Sequence, residues 1–193
     1  MAYKEILALV AVLLTFVGYV PYIRGTIKKK TTPHIYTWFI WGLVTAIAFA
    51  LQLSDKAGPG AFTTLSAAIV CFIIFGFGLK NGKKDITKSD TVFFILSLVA
   101  LVLWLIADQP LISIILVSTI DMLGFVPTIR KSWHKPNEET LISYSTNTLR
   151  FFITMFALDR YTVVTTLYPA TWVLANGLFT IFLIVRRRQL LAA

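Results

Sequence analysis

The sequence predicts an all-α integral membrane protein: seven transmembrane helices in two parallel three-helix bundles joined by a linker helix, with the N-terminus out and the C-terminus in. Three observations lead there. Hydrophobic residues make up 57% of the 193 positions, charged residues 14%, and the mean hydropathy is +0.78. Soluble domains run near ~45–50% apolar and ~25% charged. Seven apolar stretches are long enough to cross a hydrocarbon core of about 30 Å, which takes roughly 17–25 residues as helix. Finally, Gly18-Tyr-Val-Pro-Tyr-Ile-Arg24 and Gly124-Phe-Val-Pro-Thr-Ile-Arg130 match at five of seven positions, 106 residues apart.

The apolar stretches run over 5–23, 34–53, 60–80, 91–107, 110–129, 140–158 and 166–186. Turn-forming or charged residues separate them: Pro33, Gly58-Pro59-Gly60, the Lys80–Asp90 loop, Asp108-Gln109-Pro110, Lys135-Pro136 and Asp159-Arg160. The first stretch has no convincing cleavage site and runs into the repeated motif, so it is expected to stay in the protein. Cys71 lies inside an apolar run, cannot form an internal disulfide, and reads as a small packing residue.

Orientation follows from Lys and Arg. The loop after the first span carries Arg24, Lys28, Lys29 and Lys30; the loop after the third carries Lys80, Lys83, Lys84 and Lys88. Arg130, Lys131 and Lys135 follow the fifth span, and Arg186, Arg187 and Arg188 lie in the tail. The other side has only Lys4, Lys56 and Arg160, so fourteen basic residues face three, and the richer side is cytoplasmic. The formal charge of +9 therefore does not point to nucleic acid: the charges fall between apolar runs and form no stripe with aromatic platforms.

Both motif copies close an inward-running span and open a basic loop. Three-helix units joined directly would point oppositely, and one intervening helix restores the direction. The expected plan is a first repeat over 1–88, a linker over 89–108 and a second repeat over 109–193. The linker, Thr91 to Ala107, is apolar apart from Ser97 and Trp104. Proline removes a helix hydrogen bond and clashes one turn back, so Gly18, Pro21, Gly124 and Pro127 are expected to form paired hinges or gates. In lipid, such a break is tolerated against protein or a wet cavity.

This layout, with a proline-centred motif at the inner ends of the first and fifth spans, resembles the SWEET and PQ-loop superfamily in a bacterial-type form. That family includes sugar facilitators, lysosomal amino-acid exporters and a retrieval receptor of the secretory pathway. Where many members have Pro-Gln, this chain has Pro21-Tyr22 and Pro127-Thr128. Sugar-carrying members pair asparagines on the third and seventh helices; Asn176 fits the seventh, but the third reads Ile69-Val70 there. The resemblance implies a carrier that alternates its access to the two sides.

Ionisable groups inside a span raise a functional hypothesis. Asp121 lies in the fifth span and Arg150 in the sixth, where Ser143, Asn147 and Arg150 share a face by three- and four-residue spacing. Trp172, Asn176 and Thr180 recur at four-residue steps, and Trp38, Trp41 and Thr45 at steps of three and four. The candidate substrate-binding set is Asp121, Asn147, Arg150, Asn176, Trp41, Trp38 and Trp172, around a mid-membrane pocket that is mostly apolar with a few convergent polar groups. The bland reading of Asp121 and Arg150 is an ion pair fixing two helices together. The sharper one is that Asp121 exchanges a proton during transport.

The expected function is alternating-access transport of a small polar solute such as a sugar or amino acid, with coupling to protons through Asp121. The alternative is a non-transporting ligand or cargo receptor on the same scaffold. His34 and His134 sit in or beside basic loops, so no metal, cofactor or enzymatic chemistry is expected. The expected partners are the lipid bilayer of a bacterial inner membrane and the solute. One chain supplies both halves of a pathway, so a monomer suffices and a homo-oligomer is compatible.

Overall fold

The computed structural model describes residues 2–31, 33–81, 87–88, 91–92, 94–95, 98–99, 102, 106 and 109–192. Among them six helices are delimited: α1 (Ala2–Ile27), α2 (Ile35–Ser54), α3 (Ala61–Asn81), α4 (Pro110–His134), α5 (Leu141–Phe156) and α6 (Val163–Ala192). Short 3-10 turns at Gly58–Gly60 and Pro136–Glu138 lead into α3 and α5. All but α5 are long and apolar enough to cross a membrane.

The expected span 140–158 appears as α5, 16 residues and about 24 Å long at 1.5 Å per residue, its ends one and two residues inside the expected bounds. The expected fourth span, 91–107, falls largely outside the described residues, including Ser97 and Trp104, as do Lys83, Lys84, Asp90 and Asp108. The positions that are described between 91 and 106 are helical. Phe94 stacks on Tyr36 of α2 at 4.3 Å.

The prolines do not end their helices. Pro21 lies inside α1 and Pro127 inside α4, with helical backbone on both sides. Pro169, inside α6, leaves the Thr165 carbonyl without its usual donor, and the buried Gln52 amide of α2 approaches that oxygen at 3.4 Å. At the other end of the scale of freedom, Gly58 turns the chain at φ +72°, where a side chain would collide with Asp159.

Burial is inverted relative to a soluble domain. Arg150, Asp121, Asn176, Gln52 and Thr15 are among the buried polar residues, whereas Leu178, Leu174, Leu13 and Val17 lie exposed. Exposed apolar area this extensive calls for an apolar medium. These are the features of a helical protein embedded in a bilayer.

The 106-residue period reappears in the contacts. Thr37 Oγ1 of α2 donates to the Gly124 carbonyl of α4 at 3.0 Å, and Ser143 Oγ of α5 donates to the Gly18 carbonyl of α1 at 2.7 Å. Adding 106 to Thr37 gives Ser143, and adding it to Gly18 gives Gly124. Within each half the same offset holds: Ser66 of α3 reaches Thr15 of α1 at 3.0 Å, and Trp172 of α6 reaches Asp121 of α4 at 3.0 Å. Two interchanged bonds between halves and two equivalent bonds within them describe a pseudo-two-fold arrangement.

Candidate functional site

The site lies between the halves. Its lining comes from Tyr19 and Tyr22 of α1, Trp38, Trp41 and Thr45 of α2, and Ala67 and Cys71 of α3. The second half adds Ser143, Tyr144, Asn147, Arg150 and Phe151 of α5, with Tyr168, Trp172 and Asn176 of α6. Steps of three and four along each helix stack these side chains on inward faces. The cavity between them is about 20 Å³. A single water needs roughly 10–15 Å³, so in this conformation the side chains leave room for about one water.

Six of the seven expected binding residues line it: Trp38, Trp41, Asn147, Arg150, Trp172 and Asn176. Asp121 stands behind the wall. Its Oδ2 accepts from Trp172 Nε1 at 3.0 Å, its backbone carbonyl accepts from Trp41 Nε1 at 3.1 Å, and its Oδ1 makes no hydrogen bond. The two indoles that carry these bonds meet edge to face at 5.2 Å, and Tyr168, another lining residue, also neighbours the carboxylate.

Arg150 and Asp121 do not pair. The guanidinium spends its donors on Asn147 Oδ1 at 2.7 Å, Thr15 Oγ1 at 3.2 Å and the Thr63 carbonyl at 3.5 Å. Its plane also lies over the Phe151 ring, 4.0 Å from the centroid. Asn147 in turn donates to the Tyr19 hydroxyl at 2.8 Å, so one amide joins α5 to α1 and holds the arginine. This separation removes the bland reading of the two charges as a structural ion pair.

Several lining residues escaped the sequence reading. Tyr19 and Tyr22 belong to the repeated motif itself, between its glycine and arginine. Trp38 Nε1 donates to the Tyr22 hydroxyl at 3.2 Å, which ties the motif to the aromatic wall. Tyr168 continues the four-residue series of Trp172 and Asn176 one turn earlier, a signal open to the eye. Its hydroxyl shares a hydrogen with Thr45 Oγ1 at 2.7 Å, binding α6 to α2 across the chamber.

One end of the chamber is latched between halves. Arg160 meets Asp55 at 2.9 Å and Lys4 meets Asp159 at 3.2 Å, while Thr162 also donates to Asp55. Backbone bonds join the same loops, from Asp159 N to the Ala57 carbonyl and from Gly60 N to the Ala157 carbonyl. At the other end, Lys131, Tyr144 and Arg187 converge on Glu139, within the second half. The arrangement therefore brings aromatic faces, an arginine and two amides to one cavity that in this conformation has room for about one water. Compared with family models, curated proteins and solved structures, the chain finds no match.

Proposed function

We propose that the chain is a small-solute transporter of the SWEET and PQ-loop type, working by alternating access in a bacterial inner membrane. In this reading seven helices cross the bilayer, 1–88 and 109–193 form like-facing halves, and 89–108 links them. The N-terminus lies outside, and the basic loops lie in the cytoplasm. The observation that carries the proposal is the interchanged pair of hydrogen bonds, Thr37 to Gly124 and Ser143 to Gly18, around one chamber. Equivalent halves with equivalent cross-links have two related ways to part, which is what alternating access requires.

The latch of Asp55, Arg160, Lys4 and Asp159 lies at the outer end in this orientation, so the conformation is closed to the outside. Opening outward must break those contacts, and the Pro21 and Pro127 segments are the hinges about which the halves rock. Asp121 exchanges a proton during the cycle. It has no cation within ion-pair distance among the described residues, and its neighbours are Trp41, Trp172, Tyr168 and Cys71.

The deciding experiment is counterflow in sealed vesicles carrying the purified protein. Accumulation of labelled solute against preloaded unlabelled solute is expected. Saturable binding with no counterflow would assign the chain instead as a receptor on this scaffold.

A further inference from the structure

We propose that the chamber selects a small organic monoanion: a carboxylate on a compact, mostly apolar body such as an aromatic ring. The inference rests on the reading of the chamber as a solute site and narrows it to a chemical class. Among the fifteen lining residues one carries a formal charge, Arg150, which is 1% exposed. Of the other buried charges, Glu139 is paired with Lys131, and Asp121 stands behind the lining with its carboxylate accepting from Trp172. A zwitterion would need both charges within reach, and the chamber lining offers one among the described residues.

Charge balance favours an anion. Arg150 is held by an amide, a hydroxyl and a carbonyl, with no carboxylate among its partners in the described residues. A buried cation without a counter-charge is costly, and a bound carboxylate supplies what the protein leaves out. Arginine also matches the two oxygens of a carboxylate with a planar fork of donors.

The remaining polar atoms argue against a sugar. Asn147 is engaged at both ends, the Tyr22 hydroxyl accepts from Trp38, Thr45 is taken by Tyr168, and Ser143 by Gly18. Asn176 donates to the Trp172 carbonyl, and its buried Oδ1 has no hydrogen-bond partner. A sugar brings several hydroxyls, each of which loses its water on entry and needs a partner. The unpartnered Asn176 oxygen and the hydroxyl protons of Tyr19 and Tyr22, both shown only as acceptors, would serve some of them and not a full ring of hydroxyls. Aromatic side chains supply eight of the fifteen lining residues, a surface suited to a flat apolar body.

The test uses the full chain in nanodiscs and compares benzoate with its neutral isostere benzamide, with glucose and with phenylalanine, by calorimetric titration. Benzoate is expected to bind saturably, and benzamide at least about tenfold more weakly, the cost of losing one strong charge-assisted contact. Arg150→Gln is expected to erase the difference between the two, and Arg150→Lys to keep its direction. Equal binding of benzoate and benzamide, or tighter binding of glucose or phenylalanine, overturns the proposal without recourse to a variant. Flux separates this outcome from the transport reading. Benzoate that binds but is not moved sinks transport and leaves the ligand class standing. Glucose counterflow that benzoate does not inhibit sinks the ligand class and leaves transport standing.

Discussion

Asp121 and Arg150 reach the same interior and find different company there. The arginine is tied to three neutral partners at the chamber wall, and the aspartate hides behind two indoles with one oxygen unbonded. Asp121→Asn keeps an acceptor for Trp172 and removes the proton site. Solute flux in the variant is therefore expected to persist and to lose its dependence on pH across a pH series. PH dependence as steep as in the parent protein ends the coupling idea. The glycines of the motif are also unequal. A β-carbon at Gly18 would lie 2.9 Å from Thr146 Cγ2, whereas one at Gly124 finds its nearest neighbour, Trp41 Nε1, at 3.4 Å. Gly18→Ala is expected to cost about 1–3 kcal/mol as overpacking against a short, branched side chain. Gly124→Ala should be neutral or gain a few tenths up to about 1 kcal/mol from helix propensity. Thermal unfolding of the two variants side by side checks the order.

At the scale of helices, prolines decide more than the sequence alone discloses. Pro127 sits within a helix that continues to His134, so it is placed to flex α4 without ending it. Pro127→Ala is expected to fold stably and turn over more slowly; unchanged turnover in vesicles counts against the hinge. Pro169 is the third interior proline, and its freed carbonyl partner is approached by Gln52, fully buried on α2. Most helices were legible because long apolar runs admit one structure in lipid, where every backbone group must bond within its own segment. The ends of α5, Leu141 and Phe156, fall one and two residues inside the apolar run 140–158. Helical spacing found Asn147, Arg150, Trp172 and Asn176 on inward faces, since three- and four-residue steps depend on one helix alone. It could not tell that Asp121 lies behind the wall, because that depends on where the indoles of two other helices come to rest.

For the whole molecule, the 106-residue offset makes a numerical demand. Thr37 and Ser143 perform the same task in opposite halves, so Thr37→Ala and Ser143→Ala should each lose about 0.5–1.5 kcal/mol of stability, and by similar amounts. Loss confined to one of them would show that the halves are not energetically equivalent. The repeat was visible in the sequence as a motif, but the interchange of partners was not. A motif records which residues recur, whereas the exchange of donors between halves exists only once the halves have packed.

The chain's one thiol has a use that follows from where it stands. Cys71 is 4% exposed and forms part of the chamber wall, out of reach of reagents while the outer latch holds. A bulky, impermeant maleimide added outside therefore times how often the molecule opens, with no engineered label. Arg160→Ala removes a surface ion pair worth about 0.2–1 kcal/mol, so modification of Cys71 should quicken by up to about fivefold. A saturating cargo should protect it. In the proposed transport cycle this thiol would serve as a built-in clock for opening.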